Sequence, residues 1–320
     1  MAYYLDFEKP IEEIEKSIQD LKNAGISGND VDFSIEITEL EKKHSYVMET
    51  IYKNLTPWQV TQVARHPERP IFSDYMKLLF DNFLEFHGDR QFRDDPSIIT
   101  GFAHIGDEKF VVIGEEKGKN TKEKIFRNFG MPQPEGYRKA LRAMKIAEKF
   151  KKPVLTFVDT PGAYPGIGGE ERGQGEAIAR NLFEMATLKT QIISIVIGEG
   201  GSGGALAIAV ADKVLMLSNA IYSVISPESC ASIIWRDSGK ASDAAEALKL
   251  TAPNLIKFGI IDETIPEPLG GAHRNTDFTM KNVKSAILKN LSEIKRIPIP
   301  KLLVKRYERF RKLGASERIK

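Results

Sequence analysis

A run of almost purely β-branched residues at 192–197 passes directly into Gly198-Glu199-Gly200-Gly201-Ser202-Gly203-Gly204 and then into Ala205-Leu206-Ala207-Ile208-Ala209. A buried strand, a bare turn and a small-residue helix in that order constrain the fold more than any other stretch of the chain. Five glycines in seven positions also leave main-chain N–H groups uncovered where a helix begins. Such groups stabilise negative charge on an oxygen, so the turn is the first candidate for chemistry.

The same alternation extends to both sides. Residues 154–159 form a short apolar strand that ends in Thr160-Pro161-Gly162-Ala163-Tyr164-Pro165-Gly166, and a helix over 171–188 with Ile178, Leu182 and Met185 inward leads to the 192–197 strand. Further strands are expected at 213–217 and 221–225, and a hairpin of 98–105 with 109–114 around Gly106-Asp107. Tyr137, Leu141, Met144 and Ala147 mark a helix whose first turn accepts Pro134. Strand, helix, strand, helix, strand means an α/β fold with mainly parallel strands.

Ahead of this core, Ile11, Ile14, Ile18 and Leu21, and then Ile37, Leu40, His44, Val47 and Ile51, recur at three- and four-residue steps on either side of a break at 23–30. They predict an antiparallel pair of helices with narrow apolar seams, which sets residues 1–57 apart as an N-terminal helical hairpin suited to a partner contact and 58–320 as the main domain. A helical region is expected from Pro57 to about residue 85. At the other end, residues 281–320 carry thirteen lysines or arginines against three acids, although the whole chain is only +2. That asymmetry fits either an acidic partner or a solvated helix face in which Leu303, Tyr307 and Phe310 pack inward.

At 42% apolar and 28% charged, the 320 residues describe a globular protein without a membrane-length apolar run or a signal-peptide core, so a cytoplasmic location is expected. Cys230 is the one cysteine, and the five histidines lack ligand spacing, which argues against a metal centre in this chain.

Several motifs overlap in the glycine turn. Gly198-x-Gly200-x-x-Gly203 matches the dinucleotide fingerprint, but the next strand ends in Ser218-Asn219 and not in the acidic residue that would bind a ribose. Gly200-Gly201-Ser202-Gly203-Gly204 fits the nucleophile elbow of an α/β-hydrolase, with Asp262 and His273 in the right chain order for a triad. The glycines could also serve close packing alone, in a non-catalytic scaffold. Asp159-Thr160-Pro161-Gly162 looks like a GTPase switch, yet the chain has no phosphate loop.

Three separated segments point elsewhere: Gly130-Met131-Pro132-Gln133-Pro134-Glu135-Gly136-Tyr137-Arg138, Asp159-Thr160-Pro161-Gly162-Ala163-Tyr164-Pro165-Gly166, and the glycine turn. Together with Ile265-Pro266-Glu267-Pro268-Leu269-Gly270-Gly271-Ala272-His273-Arg274, they closely resemble the carboxyltransferase α-subunit family of bacterial multi-subunit acetyl-CoA carboxylase, essentially end to end. The resemblance implies a crotonase-like fold of stacked ββα units. It implies a β subunit that completes an α2β2 heterotetramer and carries the zinc, so that no metal belongs to this chain, and it implies a biotin carboxyl carrier protein and an ATP-consuming biotin carboxylase. Neither membrane nor nucleic acid is expected as a partner.

The implied reaction carries a carboxyl group from carboxybiotin to the methyl carbon of acetyl-CoA, giving malonyl-CoA for fatty acid biosynthesis. Biotin N1 can take the methyl proton, so no side-chain base is required. Within that reading the amides of Gly203 and Gly204 are the catalytic donors, facing the ureido oxygen of biotin. Gly162, Ala163, Tyr164 and Pro165, with Gly201 and Ser202, are expected to line the substrate crevice. Lys117, Lys119, Lys122, Lys124 and Arg127 could reach coenzyme A phosphates or stay in solvent. Glu199 is expected to cap the following helix or pair with Arg172 or Arg180. Gly204→Pro is expected to remove one donor and keep the fold.

Overall fold

A computed structural model of the chain describes residues 3–26 and 32–314. It opens on two helices, α1 (Lys9–Ile26) and α2 (Ser34–Tyr52). Lys22 meets Glu41 at 3.1 Å and Glu15 meets His44 at 2.8 Å, so the pair is antiparallel. Of the break expected at 23–30, residues 23–26 continue α1 and 27–30 lie outside the described residues. The seam is as thin as the sequence predicts: Ile11, Ile14 and Met48 are buried, whereas Ile35 and Tyr46 are exposed. The base of the pair is tied to the rest of the chain. Tyr52 donates to the Gly270 carbonyl (3.3 Å), and Arg274 donates to Glu15 (3.0 Å).

Next come α3 (Pro57–Ala64), started by a Thr56/Gln59 capping box, and α4 (Phe72–Leu79). The helical region expected up to residue 85 stops there. Phe80 is already extended, and β1 (Asp81–Phe86) pairs antiparallel with β2 (Ile98–Ile105) as the edge of the sheet. This strand owes its existence to its neighbour. Gly101 of β2 leaves room for the Phe83 ring, and Phe86 packs edge-on to Phe102 at 4.9 Å. The expected hairpin is present, with Ile105 opposite Glu108 at the start of β3 (Glu108–Glu115).

From β3 the chain alternates. Helices α5 (Thr121–Phe126) and α6 (Pro134–Phe150) lead to β4 (Val154–Thr160). Helices α7 (Ile167–Glu171) and α8 (Gln174–Thr187) lead to β5 (Ile192–Gly201), and α9 (Ser202–Leu206) leads to β6 (Lys213–Leu217) and β7 (Ile221–Ser223). Helices α10 (Pro227–Trp235), α11 (Ala241–Leu248) and α12 (Ala252–Lys257) precede β8 (Glu263–Ile265), and α13 (Thr276–Lys295) and α14 (Ile299–Lys312) close the chain. The strand order is β1-β2-β3-β4-β5-β6-β8, parallel from β3 onward, as the α/β reading requires. Every residue of β4 and β5 is buried. No helix among the described residues is long and apolar enough to cross a membrane.

β5 is the pivot. Its first half pairs with β6 as far as Val196–Met216, and its last three residues pair instead with β7, from Glu199–Ile221 to Gly201–Ser223. The strand thus carries the glycine turn past the end of β6.

The basic tail departs from its expected packing. Phe310 packs against the core as expected, but Leu302 and Arg306 are the buried positions of α14, and Tyr307 is exposed. Arg306 lies under the sheet, held by Asp212 (2.8 Å) and by the carbonyls of Met185, Leu188 and Thr190. Burying a charge costs free energy unless it is paired and fully hydrogen-bonded, and this guanidinium is both.

Candidate active site

The carboxyl ends of β3, β4 and β5 lie side by side, and the turns leaving β4 and β5 touch through main chain. A Cβ on Gly201 would fall 2.3 Å from the Pro161 carbonyl oxygen, and one on Gly204 would fall 2.5 Å from the Ala163 nitrogen. Packing alone therefore demands glycine at both positions. Gly203 differs: its nearest neighbour would be Ile178 at 3.7 Å, an ordinary contact, so nothing in the chain forbids a side chain there. Between them Ser202 holds φ at +56°, which turns the strand sharply into α9.

The Gly203 and Gly204 amides belong to the first turn of α9 and have no acceptor inside the helix. No carbonyl or side chain among the described residues takes them. Gly203 is half-buried and Gly204 buried.

Of the residues expected to line the crevice, Gly162 and Ala163 do lie against the start of α9. Thr160 shapes their turn, its hydroxyl donating to the Gly162 carbonyl (2.8 Å) and accepting the Gly162 N–H (3.0 Å). Tyr164 folds back instead, its hydroxyl within 2.3 Å of where a Gly166 Cβ would stand. The Tyr164 N–H donates to Pro132 (3.0 Å), and Gln174 donates to the carbonyls of Pro132 and Tyr164. These bonds join the Gly130–Tyr137 segment to the crevice loop. Pro165 is exposed.

Beneath the turn is a charged cluster that sequence reasoning missed. Lys117 approaches Asp159 at 2.7 Å and Glu199 at 3.7 Å. Arg65 donates to Glu199 (3.0 Å) and Glu228 (2.6 Å). Asp159 also accepts the Glu199 N–H (2.9 Å), and Glu115 accepts the Asp159 N–H (3.0 Å). Burial pulls the Lys117 ammonium pKa down, but Asp159 and Glu199 outweigh it and the net direction is up. Glu115 is wholly buried with one oxygen unpartnered, and burial pushes its carboxyl well above the usual glutamate range. Acids ending three adjacent buried strands were the available signal, since buried carboxylates require counter-charges.

Glu199 therefore pairs with Arg65 and Lys117, not with the expected arginines: Arg172 pairs with Glu135 and Arg180 with Glu184. Lys117 points inward rather than into solvent. Among its expected companions, Lys119 pairs with Asp74, Arg127 donates to the Pro96 carbonyl, Lys122 is exposed and Lys124 lines a small cavity beside Arg65 and Lys117.

The hydrolase triad does not assemble. Asp262 accepts the Val214 N–H at the amino end of β6 (2.7 Å), away from Ser202 at the carboxyl end of β5. His273 stacks on His66 at 3.7 Å, and the pair comes within metal-ligand reach of Glu68. An ion must lie in the plane of each imidazole that binds it, and two rings only 6° from parallel share no such point.

Similar proteins fit this geometry. The transcarboxylase 12S subunit, solved with methylmalonyl-coenzyme A and methylmalonic acid, superposes with a TM-score of 0.55 at 18% identity over 71% of this chain and 44% of its own. A chain of a Pseudomonas malonate decarboxylase hetero-tetramer in complex with coenzyme A does so with 0.55 at 17% identity, over 67% of this chain and 85% of its own. The fold is thus the crotonase-like fold of carboxyltransferases. The family model described as acetyl co-enzyme A carboxylase carboxyltransferase-like matches residues 4–314. The acetyl-coenzyme A carboxylase carboxyl transferase subunit alpha of Geobacter metallireducens is 56% identical over 312 residues, 98% of each chain. The chain belongs to that acetyl-CoA carboxylase carboxyltransferase family.

Proposed function

We propose that this chain is the α half of an acetyl-CoA carboxylase carboxyl-transfer site, in which the Gly203 and Gly204 amides bind the ureido oxygen of biotin. Carboxybiotin, on its carrier protein, supplies the carboxyl group that converts acetyl-CoA to malonyl-CoA. The observation that carries the reading is the pair of amides without acceptors at a turn where a Cβ on Gly203 would meet nothing closer than Ile178 at 3.7 Å. Main-chain donors are preorganised and cannot be titrated away, and one aimed donor is worth about 2.7–4 kcal/mol in the transition state. α9 has only five residues, so the aim of its amides matters more than its macrodipole. Gly162 and Ala163, with Gly201 and Ser202, form the walls around that oxygen.

Exposed Ile167, Phe183 and Leu206 stand on the neighbouring elements α7, α8 and α9, which suits a covered mouth. In this proposal the β subunit covers it, holds the thioester oxygen, carries the zinc and completes an α2β2 assembly. The helical pair of residues 1–57, with Ile35 and Tyr46 exposed, is a further partner contact. Carrier protein and biotin carboxylase complete the system in the cytoplasm. The test mixes purified chain and β subunit and follows malonyl-CoA from a carboxybiotin donor. Activity is expected only with both chains together; turnover by this chain alone, or none from the mixture, overturns the proposal.

A further inference from the structure

Lys117 connects the three glycine-bearing segments. Its stem passes directly under Gly130, where φ is +72° and a Cβ would fall 2.5 Å from Lys117 Cγ. Its ammonium reaches the Asp159 carboxylate at the end of β4 (2.7 Å) and Glu199 near the end of β5 (3.7 Å). The Asp159 oxygen that receives it also accepts the Glu199 N–H (2.9 Å) and occupies the space of a missing Gly198 side chain, 2.4 Å from where that Cβ would be. Only Gly200, Gly201 and Ser202 separate this anchored residue from the first free amide.

We propose that Lys117 is a positioning residue for carboxyl transfer: by holding Asp159 against the Glu199 main chain, it fixes the direction in which the Gly203 and Gly204 amides point. The inference rests on the reading of those amides as donors. Transition-state donors act only when aimed to within a fraction of an ångström, and the glycine turn has no side chains of its own to hold that aim. Without the ammonium, Asp159 and Glu199 remain as neighbouring buried carboxylates, with Glu115 behind them and Arg65 paired with Glu199 and Glu228 but not with Asp159. Asp159 then swings away, and the strand end loses its tether.

The experiment uses the full chain complexed with its β subunit and measures kcat and both Michaelis constants for malonyl-CoA formation. The variants are Lys117→Met, the charge-neutral pair Lys117→Met/Asp159→Asn, Gly203→Pro, and Lys117→Met combined with Gly203→Pro. The neutral pair leaves no ion stranded, so it reports even where Lys117→Met fails to fold. Expected are a loss of at least tenfold in kcat for Lys117→Met and for the neutral pair, an acetyl-CoA Michaelis constant within twofold of wild type, and less than threefold further loss when Lys117→Met is added to Gly203→Pro. A purely structural salt bridge would move the melting temperature and leave kcat of the folded complex alone. Wild-type kcat in the folded neutral pair, or losses that multiply fully in the combined variant, overturns the inference. Full activity in Gly203→Pro would instead sink the donor reading beneath it, so the two failures are distinguishable.

Discussion

Substituting Gly203 by alanine and by proline isolates one N–H group. Both residues place a Cβ where its nearest neighbour would be Ile178 at 3.7 Å, an ordinary contact. Proline at the second helical position has precedents in this chain, at Pro253 of α12 and Pro300 of α14. Gly203→Ala keeps the amide and restricts the unfolded chain, so its thermal stability should rise, by about 0.4–1 kcal/mol. Gly203→Pro deletes the donor, and at about 2.7–4 kcal/mol per donor the rate should fall roughly 100- to 1,000-fold. The assay is steady-state malonyl-CoA formation by the α–β complex, with melting temperature and co-elution as checks of fold and assembly. A folded, assembled Gly203→Pro complex with the kcat of Gly203→Ala would refute the role of this amide. Gly204, where proline was expected to remove a donor and keep the fold, is the wrong probe: its Cβ would collide with the Ala163 main chain, so any substitution there confounds fold with chemistry.

Ser202→Ala should keep at least half of the carboxyl-transfer rate, because the serine is exposed and donates no hydrogen bond to a described residue; near-total loss would revive a nucleophilic serine. Arg306→Ala strands Asp212 and three carbonyls, and urea denaturation should show a loss of about 3–5 kcal/mol; a loss below 1 kcal/mol would contradict the packing of α14. Glu115→Gln should alter the pH dependence of stability. Burial raises the folded-state pKa of Glu115, so the folded protein retains a proton that the unfolded chain releases above about 4.5. Wild-type stability is therefore full below that pH and declines as pH climbs toward the raised value, while the glutamine variant lacks this decline. The advantage of Glu115→Gln should widen between pH 5 and 8; a constant difference would show that the carboxyl is not held neutral.

The parallel core was legible because buried β-branched runs such as residues 192–197 have few alternatives, and the glycine turn was legible because its bare main chain is a local property. β1 was not: its six residues are mostly exposed, and its pairing depends on the space that Gly101 leaves for Phe83. Charge misled the reading twice. Arg306 and Lys117 read as solvent-facing, yet each is drawn inward by carboxylates that only the fold brings near, Asp212 lying 94 residues from Arg306. The Arg65 partner of Glu199 lies 134 residues away in sequence, where no periodicity could reveal it.

The contact between Gly204 and the Gly162–Ala163 segment is main chain against main chain, which limits how this crevice can change by mutation. A small molecule occupying the same donors would face atoms common to every amino acid at that wall, and enlarging a side chain at Gly204 would cost the fold before it expelled the molecule. Escape from such an inhibitor would have to come from flanking positions such as Ile178 and Tyr164, and those are the places where drift among relatives could alter susceptibility without altering turnover.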